Sequence, residues 1–193
     1  MAANRFFKNK KIQLRNLYNN LKICPLSKNG NGQIFRDFFY WEFDVQPTSL
    51  NKKYKILLVQ HKKRISPYVF LLDKEILNWP KEYRLKIPHL YDSDRLRLCL
   101  YHPRLNEWQW EKLYCTTIIP WIYLWIIFFE YWLYSSCWEG GGEHPPKDSS
   151  KKNAEKKKNI NGKKISQKGK KKNFEEEIFK IYEERRKKYL KMV

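Results

Sequence analysis

Acidic residues are scarce in this chain: 20 Asp and Glu stand against 40 Lys and Arg, a formal charge of +20 over 193 residues. Cysteine is sparse as well. Four residues without regular spacing do not make the framework of a disulfide-stapled secreted miniature. No apolar stretch of signal-peptide length follows Met1, so the expected compartment is the reducing cytoplasm, with free thiols. The sequence also lacks a phosphate-cradling Gly loop, a dinucleotide fingerprint and a Ser-His-Asp arrangement, which argues against a nucleotide-binding enzyme or a serine hydrolase. No cofactor is expected. Long hydrophobic runs are missing too. The most apolar segment, Ile118 to Phe129, falls short of the roughly 18–20 residues that a membrane span needs, and Glu130 interrupts it. It reads as a buried helix with Pro120 in its first turn, and no membrane partner is expected.

Aromatic residues, by contrast, are plentiful. Eight Trp, thirteen Tyr and eleven Phe are far too many for a solvated coil, and 42% apolar residues are enough for one core. The charge is unevenly spread. Residues 147–172 hold twelve Lys against Asp148 and Glu155, with no aromatic residue and two Ile. Such a stretch cannot bury enough surface to offset its ordering entropy and reads as a disordered linker. It is a solubilising tether or, through counterion release from phosphate, a nucleic-acid contact. Residues 173–193 follow, with Phe174, Ile178, Ile181 and Tyr182 on one helical stripe, acidic residues early and basic ones late. This is a short amphipathic helix that docks on its own domain or on a partner.

Residues 1–146 read as one α+β domain. Leu14, Leu17, Tyr18 and Leu21 keep helical spacing up to Pro25. Phe39, Trp41, Phe43 and Val45 alternate with Phe38, Tyr40, Glu42 and Asp44, a strand with one strongly apolar face. Further strands over 54–60 and 68–72, joined by short loops, predict an antiparallel meander. The aromatic helix packs against it, and Gly140-Gly141-Gly142 supplies the turn that ends that helix.

The chemistry concentrates between Ile87 and Pro103. In Arg95 to Leu100 the residues alternate, so an extended backbone turns Leu96, Leu98 and Leu100 inward and Arg95, Arg97 and Cys99 outward. A cysteine beside two guanidinium groups is favoured as thiolate. His102, three residues on, is a candidate base. Asp92 and Asp94 are candidate proton acceptors, or ordinary loop carboxylates. Cys99-x-x-His102 with Cys115, Cys137 and His144 matches no familiar zinc spacing, and no metal is expected.

His89, the ten-residue step to Cys99 within Leu98-Cys99-Leu100, then Trp108 and a long apolar helix resemble the active-site region of ubiquitin-conjugating enzymes. The resemblance implies that fold, with Cys99 as thioester-forming nucleophile and His89 organising its loop. The family's His-Pro-Asn is His89-Leu90-Tyr91 here, so the oxyanion-stabilising Asn is absent from its place; Asn106 and His102 are candidates by proximity. Cys99-Leu100-Tyr101-His102-Pro103, Asn106-Glu107-Trp108, Ile119-Pro120-Trp121, Glu130-Tyr131-Trp132-Leu133 and the run from Trp138 to Pro145 resemble more narrowly the bacterial ubiquitin-conjugating-like proteins of CBASS antiphage operons. That resemblance implies an acyltransferase whose cysteine captures the C-terminus of a cGAS-like nucleotidyltransferase in antiviral defence. The alternative is a basic accessory protein without catalysis, membrane-associated through 118–134 or nucleic-acid-binding through the Lys tail.

Overall fold

The computed structural model describes residues 2–102, 105, 107–141 and 168–192. It opens with α1 (Ala2–Ile23), which buries Leu14, Leu17 and Leu21 on one face. Strands β1 (Asn31–Ile34), β2 (Phe38–Val45), β3 (Tyr54–His61) and β4 (Tyr68–Leu72) follow as an antiparallel meander. Two one-turn helices, α2 (Lys74–Leu77) and α3 (Lys81–Arg84), lead to a hairpin of β5 (Leu90–Asp92) and β6 (Arg97–Leu98). β6 pairs with β4, giving a six-stranded sheet in the order β1-β2-β3-β4-β6-β5. A 3-10 turn at Tyr114–Thr116 then enters α4 (Ile118–Ser135), and α5 (Lys168–Met192) closes the chain. The architecture is the expected α+β, ubiquitin-conjugating-enzyme-like arrangement of helix, meander and aromatic helix.

The period of two along each strand divides the sheet's side chains between two cores. Phe39, Trp41, Phe43 and Val45 of β2 join Ile56 and Leu58 of β3 and Val69 and Leu71 of β4 under α1 and α4. The alternate residues Tyr40, Leu57, Val59, Tyr68, Phe70 and Leu72 form a second core, covered by Phe174, Ile178, Ile181 and Tyr182 of α5. The C-terminal helix therefore docks on its own sheet. Arg185 fastens it with two hydrogen bonds to Glu42, at 2.6 and 2.5 Å. It starts at Lys168, five residues before the expected boundary, while the linker expected over 147–172 otherwise lies outside the described residues.

By length and composition Tyr114–Ser135 is sufficient to cross a membrane. In the fold, Ile118, Ile119, Ile122, Trp125, Ile126 and Phe129 are instead buried against the first core. Glu130, which breaks the apolar run, accepts hydrogen bonds from the Asn51 side chain and the Lys52 backbone and ties α4 to the loop before β3. The helix ends earlier than the glycine run predicts. Ser136 takes a left-handed conformation (φ 59°) and donates its N–H to the Trp132 carbonyl, so a serine rather than Gly140 to Gly142 caps α4.

His61, at the end of β3, is 2% exposed and stacks on Phe174 of α5. Its Nδ1 accepts the Lys63 N–H, and its Nε2 lies 3.6 Å from Glu177. Burial pushes its pKa down to about 4, with Lys62 and Lys63 acting in the same direction and Asp37 against it. The unfolded chain takes up a proton near pH 6.5 that the folded chain refuses, so this contribution to stability is intact above pH 6.5. It is lost as the pH falls toward 4, by roughly 2–3 kcal/mol. Burial raises the Glu177 pKa, which works the opposite way at the acid end. Urea unfolding between pH 7 and 4.5 is expected to flatten in His61→Phe relative to the unchanged protein. Identical slopes would refute the assignment.

Candidate functional site

The turn from β5 to β6 is built by Asp92. Its Oδ1 accepts the N–H groups of Asp94 and Arg95, and its Oδ2 pairs with the Arg95 guanidinium at 2.8 Å. Asp94 lies against Lys81 and Arg84. Both carboxylates are thus occupied in shaping the hairpin, and neither lines the cavity around Cys99. Leu96 adopts φ 50°, which breaks the regular alternation. Arg95 consequently lies over Phe179 of α5, while Arg97 stacks on Tyr68 at 3.8 Å and on Tyr91 at 4.9 Å. The expected pair of guanidinium groups beside Cys99 reduces to one, Arg97.

Cys99 follows β6 directly. Its N–H donates to the His89 carbonyl at 2.8 Å, and the same carbonyl accepts the Trp125 indole N–H at 3.2 Å. His89 is itself held at φ 52° with its ring stacked 4.7 Å from Trp138. The cysteine loop, α4 and the segment after α4 therefore converge on one residue, His89: the first two on its carbonyl and the third on its ring. Trp108 is buried in the core, stacked on Tyr114.

The Cys99 side chain is half-buried in a cavity of about 220 Å³. His89, Tyr101, Glu107, Trp125, Phe128 and Trp138 line it. Gly140 also lines it, and a Cβ there would lie 2.6 Å from Phe128 and 2.8 Å from Trp138, so only glycine fits. His102 is not a lining residue of this cavity; its backbone N–H instead holds the Glu107 carboxylate at 2.7 Å. Asn106 lies outside the described residues.

Burial raises the Cys99 thiol above its ordinary pKa, and Glu107 adds to the rise. Tyr91 and Arg97 favour the thiolate, but burial outweighs them, contrary to the expectation from the alternating sequence. Tyr91 interacts electrostatically with the Cys99 side chain, and its hydroxyl donates to the Tyr101 carbonyl at 3.2 Å. Burial first, then the neighbouring thiol, raise the phenol's pKa, so Tyr91 keeps its proton and remains a donor. A nucleophile, a phenolic donor and a carboxylate meet here, the set that acyl transfer to an amine requires.

Two of these groups were not assigned a role from the sequence. Tyr91 carried a signal, since it stands where the ubiquitin-conjugating pattern has Asn. Glu107 stood within the resembling Asn106-Glu107-Trp108, but that motif gave no hint that its carboxylate shares a cavity with Cys99.

A family model described as Type II CBASS E2 protein matches residues 13–145, more than half of the chain. A search of curated proteins finds no match.

Proposed function

The chain belongs to the Type II CBASS E2 family, and from that membership we propose that it is a cysteine acyltransferase whose Cys99 captures the C-terminus of a cGAS-like nucleotidyltransferase as a thioester. Its role lies in CBASS antiphage defence. The observation that carries the catalytic reading is the Cys99 thiol in a cavity shared with Glu107, within the electrostatic influence of Tyr91.

The Cys99 sulfur attacks the carbonyl carbon of a donor already activated as an acyl phosphate or a thioester. A C–S bond forms, the bond to the phosphate or thiolate leaving group breaks, and the thiol proton passes to solvent or to that leaving group. An amine then attacks the thioester, its proton passes to the Glu107 carboxylate, and the Cys99 thiolate departs. The tetrahedral oxyanion of each step is stabilised by the Tyr91 hydroxyl, which turns from the Tyr101 carbonyl toward it. Tyr91 thereby takes the part that Asn plays in ubiquitin-conjugating enzymes.

The test is co-expression with the genomic neighbour, followed by gels with and without reductant. A neighbour-sized shift that thiol reverses identifies the thioester, and a thiol-resistant shift identifies an amide product. Absence of both, with the neighbour folded, would refute the proposal. Tyr91→Phe is expected to slow adduct formation by about 10²-fold, the loss typical of one oxyanion donor. Rates within twofold of the unchanged protein would remove Tyr91 from the mechanism.

A further inference from the structure

A second cavity, of about 480 Å³, adjoins the first: Leu100 and Tyr101 line both. Lys63, Arg64 and Arg97 bring three cations to it, and Ile65, Pro67 and Val69 supply apolar walls. Arg64 is shared with the Tyr68 hydroxyl at 3.0 Å and with Glu175 at 3.7 Å. Arg97 differs. No described carboxylate pairs with it, because Asp92, the nearest in sequence, is taken by Arg95. Its guanidinium is stacked on two tyrosine rings, which leaves its N–H edge as the part open to a ligand. Burial of this group is evident also in its lowered pKa, yet an arginine stays charged. A desolvated cation without an anion is costly unless something completes it, and a planar N–H edge matches the two oxygens of a carboxylate.

The geometry points to this cavity as the subsite for an acidic side chain in the C-terminal segment of the acyl donor, a few residues before the carbonyl that Cys99 takes. The inference rests on the acyl-transfer reading for the identity of the donor. It does not need that reading for the carboxylate site itself. A donor tail whose last carbonyl meets Cys99 advances about 3.3 Å per extended residue, so a neighbouring cavity is reached within a few residues. A carboxylate there neutralises Arg97, with Lys63 and Arg64 at hand, and fixes the direction in which the tail leaves the cysteine. Recognition of an acidic residue near the terminus would also select the donor from other chain ends.

The first probe is a matched pair of maleimides with the same six-carbon arm, one ending in a carboxylate and one in a methyl group. Their rates of reaction at Cys99 are read by peptide mass spectrometry on the full chain. The carboxylate reagent is expected to react about tenfold faster and to saturate, since a charge-assisted contact of this kind precedes the reaction. Arg97→Gln is expected to bring the ratio to near one, and Arg97→Lys to retain part of it. Glutarate should compete with the carboxylate reagent. Equal rates in the unchanged protein, or a preference that persists in Arg97→Gln, would overturn the site. Competition by inorganic phosphate but not by glutarate would overturn its assignment to a carboxylate.

Co-expression with the neighbour supplies the second readout. Arg97→Gln is expected to lower the Cys99-dependent adduct about fivefold more than it lowers the methyl reagent's rate, which reports the loss of thiolate that Arg97 favours. If the adduct forms equally well in Arg97→Gln, acyl transfer stands and the donor subsite falls. If no adduct forms with any variant, but the maleimide preference depends on Arg97, the carboxylate site stands and the donor assignment falls.

Discussion

Cys99→Ala is expected to remove every adduct with the neighbouring protein, and Cys99→Ser to convert a thiol-sensitive adduct into one that resists thiol but yields to mild base. The physical reason is the leaving group. A serine ester has the same acyl carbon and the same loop geometry, but an alkoxide leaves far less readily than a thiolate, so the captured acyl group accumulates instead of moving on. The two variants separate capture from transfer. In both, the His89 carbonyl still accepts the backbone N–H of residue 99, and α4 still packs against the sheet, so folding is expected to survive. Of the four cysteines, Cys24 is fully buried and its thiol lies against that of Cys115, while Cys137 lies beyond the end of α4. Adducts that persist in Cys99→Ala would refute Cys99 as the nucleophile, and intact mass followed by peptide mapping decides this.

Arg185→Ala is expected to destabilise the protein by about 3 kcal/mol, because it strands Glu42 at a site where that carboxylate's side chain is only 11% exposed. The Arg185 guanidinium also lies 4.8 Å from the Tyr40 ring and anchors α5 across β2. Removing both charges, with Arg185→Met and Glu42→Leu together, is expected to recover most of the loss, since an apolar pair of similar volume avoids the desolvation that the ion pair must offset. Urea denaturation of the two single variants and the double variant measures this as a double-mutant cycle. A single-variant effect below about 0.5 kcal/mol would place Arg185 at the surface in energetic terms. The same helix carries Phe174, whose contact with His61 underlies the acid sensitivity described above.

The strand pattern of β2 shows why one layer was legible and the other was not. Phe39, Trp41, Phe43 and Val45 announce a buried face by their composition. Tyr40 and Glu42 look like a solvent face, because nothing local reveals that Arg185, more than 140 residues on, will neutralise Glu42. Likewise Phe174, Ile178, Ile181 and Tyr182 mark a helix with an apolar stripe, yet the stripe itself does not say what it covers. The answer lay in the second face of the same sheet, whose apolar residues β3 and β4 supply.

Helical spacing and strand alternation are properties of neighbouring residues, so they marked α1, β2, β3, β4, α4 and the stripe of α5, and a short motif marked Cys99, on which the acyl-transfer proposal rests. The chemistry around that cysteine came from contacts between segments distant in sequence. Residues 91 and 97 become neighbours of Cys99 through a hairpin with one left-handed residue that pairs with β4 and meets α5, and Glu107 is held near it by the His102 N–H. The thiol's pKa followed the same rule. Sequence counted the cations nearby, whereas burial, which belongs to the whole fold, set the direction of the shift.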